Sequence, residues 1–234
     1  MRTQPLVLAL LFATSMGQTS HPDYVASMPH APPFQSKNYS GYLNVDANKQ
    51  LHYTFAESLD NPTKDPIIIW FNGGPGCSSM MAYMQESGPN VIDDGEAYIK
   101  QNPWPWNMRA NVAYIESPAG VGFSIAATQA AYQQDDFQSG ADNYAAVVSF
   151  FQKFPQFTSN PVYIAGESYA GIYVPTLAHA IYQENLNLPA SQQINLAGYF
   201  VGNGATDFNV DIWPAYAEVI QGFSMIPKSL LKDW

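Results

Sequence analysis

The apolar positions change period several times along the chain, and each change marks an element. Within "YSGYLNVDANKQLHYTFAES", residues 41–46 and 51–57 alternate around the polar turn Ala47–Gln50, which predicts a β-hairpin. Ile67 to Phe71 is continuously apolar and rich in β-branched residues, as in a strand covered on both faces. A short helix is expected over 79–86 and a strand over 111–115, in "NVAYIESPAG". Phe137, Ala141, Tyr144, Ala145, Val148 and Phe151 recur at helical spacing. A strand in "PVYIAG", a helix through "LAHAIYQENL" with Pro175 near its first turn, and a strand in "INLAGYFVGNG" follow. A hairpin and then alternating strands and helices predict an α/β fold with a mostly parallel central sheet. No repeat or linker interrupts the series, so a single domain is expected.

Composition narrows the class. Hydrophobic residues make up 47% of the 234 and charged residues 12%, enough apolar material for a sizeable core. The formal net charge is −10 and Lys and Arg do not cluster, which argues against nucleic acid as a partner. Arg2, the apolar run Leu6–Ala13 and the small residues Ser15 and Gly17 read as a secretory signal over 1–17. The run is far short of the ~20 residues that span a bilayer. Cleavage after Gly17 would leave a domain over 18–234 in a secretory compartment, without a membrane anchor. Asn38-Tyr39-Ser40 is a glycosylation sequon, whereas proline bars Asn61-Pro62-Thr63. The single cysteine, Cys77, is either a buried inert thiol or half of a disulfide whose partner lies elsewhere. No cofactor or metal signature is present.

Two strand ends carry candidate chemistry. "VYIAGESYAG" (162–171) ends an apolar strand in Gly166-Glu167-Ser168-Tyr169-Ala170-Gly171. Small residues two positions either side of Ser168 fit the G-x-S-x-G/A pattern of a nucleophile elbow, a strand-to-helix turn that strains the serine backbone. The hydroxyl would sit at a helix N-terminus, where N–H groups can receive an oxyanion. A tight turn with a surface serine explains these six residues equally well. "WFNGGPGCSS" (70–79) leaves another strand through three glycines and a proline. No Lys-Ser/Thr pair follows, so it is not a phosphate-binding loop. A Gly-Gly pair that exposes main-chain N–H groups is what acyl transfer at Ser168 would need as its second oxyanion donor.

With "ESGP" (86–89), "NPWPWN" (102–107), "ESPAGVGFS" (116–124), "GESYAGIYVP" (166–175) and "VGNGATD" (201–207), these segments occur in an order that resembles the serine carboxypeptidases, secreted enzymes of the α/β-hydrolase fold. The resemblance runs from about residue 30 to the end. It implies Ser168 as nucleophile and the N–H groups of Gly74 and Tyr169 as oxyanion hole. It also implies that Asn72, Gly73, Glu86 and Glu167 hold the free C-terminal carboxylate of a peptide or protein substrate. Two carboxylates can receive a third only by sharing protons, so binding should favour acid pH and a lysosome- or vacuole-like compartment. By themselves, Glu86 reads as a solvated helix end and Glu167 as a residue that tunes Ser168 or faces solvent. Trp104 and Trp106 read as core or cleft wall.

In this fold the triad runs Ser, then Asp or Glu, then His. The 66 residues after Ser168 (234 − 168) contain one histidine, His179, inside the helix that leaves the elbow and poorly placed as a base. His21, His30 and His52 precede the serine. Asp207 and Asp211 fall near the fourth strand, and the resemblance gives Asp207 a structural place. It also pairs Cys77 with a cysteine further along the chain than this sequence extends. The chain therefore reads as the N-terminal half of a serine carboxypeptidase, with a sheet left open at one edge. Three functions stay open: a carboxypeptidase acting through an acyl-enzyme at Ser168, an acyltransferase that passes the acyl group to an alcohol, and a homologue that binds without hydrolysing. The carboxylate-binding set favours the first, and the absent Asp and His favour the third for these residues alone.

Overall fold

The computed structural model describes residues 21–93 and 95–232, so the expected signal segment lies outside the described residues. The chain enters through β1 (Tyr24–Val25) and forms the hairpin β2 (Asn38–Asn44) and β3 (Lys49–Ala56). It continues to β4 (Ile67–Phe71), a small ribbon of β5 (Asn90–Val91) with β6 (Lys100–Gln101), and β7 (Asn111–Ile115). A short β8 (Ile125–Ala126) pairs with β3 and leads to helix α1 (Asp136–Lys153). Then come β9 (Val162–Glu167), helix α2 (Ala170–Asn187), β10 (Leu196–Gly202) and helix α3 (Trp213–Gly222).

The main sheet runs β1-β2-β3-β7-β4-β9-β10. It is antiparallel from β1 to β7 and parallel from β7 to β10. From β4 the chain passes to β7 on one side and then crosses to β9 on the other. Strand order thus reverses at β4, and a crevice opens at the carboxyl ends of strands at such a switch point. Side chains alternate across the sheet. Ile67, Ile69, Phe71, Val162 and Ile164 pack with Phe150, Phe154, Phe157, Tyr173, Leu177 and Ile181 on the face that α1 and α2 cover. Trp70 and Ala165 turn to the other face, with Tyr83, Val112 and Tyr114. Burial on both faces is why β4 reads as an unbroken apolar run.

The fold is the expected α/β architecture, with several local corrections. The helix expected over 79–86 forms, with its C-terminal part a π-helix, Ala82–Glu86, where Ser87 N–H reaches back five residues to Ala82 O at 2.8 Å. Pro175 is the sixth residue of α2, in its second turn rather than its first. Helix α1 forms as expected, but the apolar stripe read from its spacing is not its buried face: Phe137 is 88% exposed. The buried face carries Asp142, Asn143 and Ser149, each held by a specific bond: Asp142 to Lys49 Nζ at 2.7 Å, Asn143 Oδ1 to Ser117 Oγ at 2.6 Å, and Ser149 Oγ to Asn44 N at 2.9 Å. Bonded polar side chains can occupy a buried face that an apolar pattern does not mark. The strand expected in "INLAGYFVGNG" forms the sheet's last described edge, with Tyr199 and Phe200 exposed, and α3 had no counterpart in the expected series. No helix of the described residues is long and apolar enough to cross a membrane.

Candidate active site

Ser168 follows the second-last residue of β9 by two positions and stands just ahead of α2, with a backbone φ of +57°. A non-glycine residue in this region costs about 1–3 kcal/mol and persists only where neighbours impose it. The loop after β10 does so. Ser168 N–H donates to Gly202 O at 3.0 Å, and Ser168 C=O accepts from Ala205 N at 2.9 Å and Gly171 N at 2.9 Å. The small flanking residues have a steric reason. A methyl on Gly166 would lie 2.4 Å from Phe71 O and 2.5 Å from the Ala170 Cβ. The Ser168 side chain is exposed, and its hydroxyl makes no hydrogen bond among the described residues.

Parallel pairing of Phe71 with Gly166 sets the end of β4 beside the end of β9. The Asn72–Ser79 loop therefore lies on the elbow. A methyl on Gly73 would come within 2.4 Å of Tyr169 N and 2.6 Å of Glu167 O, so glycine is required there by close approach. The N–H groups of Gly74 and Tyr169 donate to no acceptor among the described residues and remain open to a ligand. Several bonds hold the loop. Cys77 N–H donates to Gly73 O at 3.0 Å and Asn72 N–H to Ser79 Oγ at 3.1 Å; Ser79 Oγ donates to Ile115 O at 2.7 Å. The Tyr173 hydroxyl of α2 lies toward Gly76 N–H.

The expected carboxylate-binding residues converge beside this loop. Asn72 is buried; its Oδ1 accepts from Trp70 Nε1 at 2.8 Å and its Nδ2 donates to Glu167 Oε1 at 3.0 Å. Glu86 comes from the turn after β4 and has its carboxyl held above the ordinary range, first by partial burial and then by the charge of Glu167. The "NPWPWN" segment frames that turn. Asn102 Nδ2 donates to Glu86 O at 3.1 Å and Gly88 O at 2.9 Å, and Trp106 N–H donates to Ser87 O at 2.9 Å. Trp106 packs edge-on against Trp70 at 5.1 Å between ring centroids, and both Trp104 and Trp106 are exposed, Trp104 the more so.

Other expected residues lie apart from the serine. Of the four histidines, His21 stacks on Phe154, His30 is exposed, and His52 is bonded to Ser40 and Glu116. His179 sits nine residues along α2 from Ala170, roughly 14 Å at the helical rise. Asp207 caps the turn over 208–212 by accepting from Asn209 N at 2.9 Å. Asp211 accepts from Thr206 and Asp207 N–H, whose bonds hold its carboxyl below the ordinary range. Cys77 is an exposed free thiol, not the buried one considered from sequence. Asn38 also departs from expectation: it is buried in β2, with Nδ2 donating to Ser36 O at 3.1 Å and Oδ1 accepting from Tyr83 Oη at 3.1 Å. The folded chain has no room there for a glycan. Sequence reasoning missed Gly202, Ala205 and Tyr173 as supports of the elbow and its loop, and gave no role to the Glu116 carboxylate. Their signals were present in "VGNGATD", "GIYVP" and "ESPAGVGFS", as segments without assigned contacts. Among the described residues no cluster of His, Cys, Asp and Glu could hold a metal ion.

Comparison with known proteins places this geometry. The family model for serine carboxypeptidases matches residues 29–233. Serine carboxypeptidase-like 20 of Arabidopsis thaliana is 41% identical over 207 residues, covering 86% of this chain and 41% of that protein. The lysosomal protective protein of Mus musculus is 40% identical over 209 residues, covering 87% of this chain and 42% of that protein. In fold, the chain is similar to a prohormone-processing carboxypeptidase from Saccharomyces cerevisiae, with a TM-score of 0.75 at 24% identity, covering 83% of this chain and 44% of the other. The chain belongs to the serine carboxypeptidase family and has the α/β-hydrolase fold. It spans about two fifths of the length of these two relatives.

Proposed function

We propose that this member of the serine carboxypeptidase family contributes the nucleophile, oxyanion hole and carboxylate clamp of an enzyme that removes C-terminal residues from peptides. One observation carries the reading: Asn72, Glu167 and Glu86 gather beside a strained serine whose neighbouring N–H groups are open. In the proposed reaction Ser168 Oγ attacks the last peptide carbonyl and gives its proton to a base. The tetrahedral oxyanion is received by the N–H groups of Gly74 and Tyr169. The C–N bond breaks, the leaving amine takes a proton, and water then hydrolyses the Ser168 ester. The substrate's free carboxylate lies against Asn72, Gly73, Glu86 and Glu167. Glu86 carries a proton more readily than an ordinary carboxylic acid, which lets the pair accept a third carboxylate at acid pH. That preference suits a lysosome- or vacuole-like compartment, in keeping with the name of the mouse relative.

None of the four histidines is bonded to Ser168, so we infer that none of them is the base. In this proposal it comes from polypeptide beyond the 234 residues. The same observation favours a second reading for these residues alone, a chain that binds C-terminal peptides without cleaving them. A fluorophosphonate applied at about pH 5 and about pH 7, followed by a blocked dipeptide, separates them. Labelling at Ser168 with release of the C-terminal residue is expected of the carboxypeptidase. Dipeptide binding without label or release would overturn it in favour of the second reading. Transfer of the acyl group to an added alcohol in preference to water would point to an acyltransferase.

A further inference from the structure

Glu116 follows β7 and is 1% exposed, yet all its oxygens are taken. Oε2 accepts from His52 Nδ1 at 2.9 Å and Phe123 N–H at 2.8 Å, and Oε1 accepts from the Ser78 hydroxyl. Its main chain is tied to the same partners: Glu116 N–H donates to His52 O at 3.0 Å, and Ser124 Oγ joins Glu116 O at 2.6 Å to His52 N at 2.8 Å. The loop over 117–124 folds across the carboxylate so closely that a methyl on Gly122 would lie 1.9 Å from Oε1. Burying such a group gives little stability that an apolar side chain would not, so its placement calls for another reason.

The reason lies in where Ser78 sits. Ser78 belongs to the loop that crosses the elbow, and its Oγ also accepts from Met80 N at 3.1 Å. The preceding residue, Cys77, donates its N–H to Gly73 O at 3.0 Å. Gly73 in turn rests against Tyr169 N and Glu167 O. Three short links therefore run from the Glu116 carboxylate to the oxyanion donors. His52 is steadied on its far side by Ser40 Oγ at 2.9 Å from Nε2, and flanked by the rings of Tyr42 and Phe123.

We infer that Glu116 is a positioning residue: held by His52, it fixes through Ser78 the height of Gly73 and Gly74 over Ser168. The inference rests on Ser168 as nucleophile for its catalytic consequence, but its first test needs no catalysis. Cys77 is exposed, adjoins Ser78 and is the chain's single cysteine, so its alkylation reports on the loop. In the 234-residue chain, where Cys77 is a free thiol, Ser78→Ala and Glu116→Gln are each expected to speed iodoacetamide modification of Cys77 about tenfold. The double variant should react no faster than either single one, and Ser78→Thr should restore the slow rate. Rates within about twofold of wild type in both single variants, or additive effects in the double variant, would overturn the inference. If Glu116→Gln does not fold, Ser78→Ala and its threonine rescue decide alone. Where wild-type Ser168 turns over substrate, Ser78→Ala should lower kcat, because oxyanion donors act in the transition state, and raise KM more modestly through Gly73. A rise in KM with kcat intact would also overturn it. A wild-type chain that takes no fluorophosphonate removes the carboxypeptidase reading for these residues, while the Cys77 rates still decide the role of Glu116.

Discussion

At Ser40 the chain sets a hydroxyl 2.9 Å from His52 Nε2, with His52 Nδ1 2.9 Å from Glu116 Oε2. At Ser168 no imidazole is bonded to the hydroxyl, but the backbone is held at a φ of +57° beside two open N–H groups. The first site has the serine–histidine–carboxylate order of a hydrolase triad and none of its setting. Ser40 lies in the middle of β2, and its own N–H, spent on Asp23 O at 2.9 Å, is not free to receive an oxyanion. The second site has the setting without the triad. A hydrogen-bonded chain of the right residue types is therefore a poor guide to a nucleophile. The strained turn at the carboxyl end of a parallel strand, with N–H groups aimed outward, is the better one.

The largest effect that can break this comparison is at the serines themselves. In a preparation whose wild-type Ser168 is reactive, Ser168→Ala should reduce peptide release by about a thousandfold or more and abolish labelling. Labelling that persisted in that variant and vanished in Ser40→Ala would reverse the assignment of the two sites. Next in size is Gly73→Ala, which drives a methyl into Tyr169 N and Glu167 O. Lifting the loop should slow labelling about a hundredfold, the scale of one lost oxyanion donor, and a rate near wild type would separate the loop from the site.

The clamp gives a smaller, pH-dependent effect. Glu86 has its carboxyl raised above its ordinary value of 4.5 by burial and by Glu167, so it is protonated below the raised pKa and charged above it. KM for a peptide should climb by up to about tenfold per pH unit as pH rises through that pKa. In Glu86→Gln the climb should flatten; a profile that keeps its slope would remove Glu86 from substrate binding. Glu116 titrates in the opposite sense. Burial pushes its carboxyl up, but hydrogen bonds from His52, Ser78 and Phe123 N–H outweigh burial and hold it below its ordinary 4.5. A depressed folded pKa gives stability that is present above the unfolded value and lost as pH falls through the folded one. Thermal midpoints of Glu116→Gln should thus fall less steeply on acidification than those of wild type. The smallest effect belongs to Ser40→Ala, which loses about 1 kcal/mol with its bond to His52 and should slow Ser168 labelling by less than about threefold.

Much of this architecture could be read before the fold was known. The two apolar runs at Ile67–Phe71 and Val162–Gly166 predicted buried strands, and the glycines after each predicted turns that bring backbone close to a ligand. The face of α1 could not be read, because Asp142, Asn143 and Ser149 are buried through partners 26 to 105 residues away. The same holds for the sequon at Asn38, whose three-residue pattern carries no information about the Tyr83 hydroxyl that covers it.

What the sequence determined by itself was local: which runs form strands, where each stops, and that Ser168 and the Gly73-Gly74 pair stand at two of those ends. Period and turn chemistry are properties of neighbouring residues, so a single chain suffices to show them. Only the tertiary structure decided that these ends adjoin, through the register of Phe71 with Gly166. It alone decided that Gly202 and Ala205 brace the serine, and that Glu116 reaches the same loop from β7. Those contacts join residues 34 to 95 positions apart, as in Ser168 with Gly202 and Asn72 with Glu167. Their geometry is set by strand pairing and packing across the sheet, which no local pattern encodes.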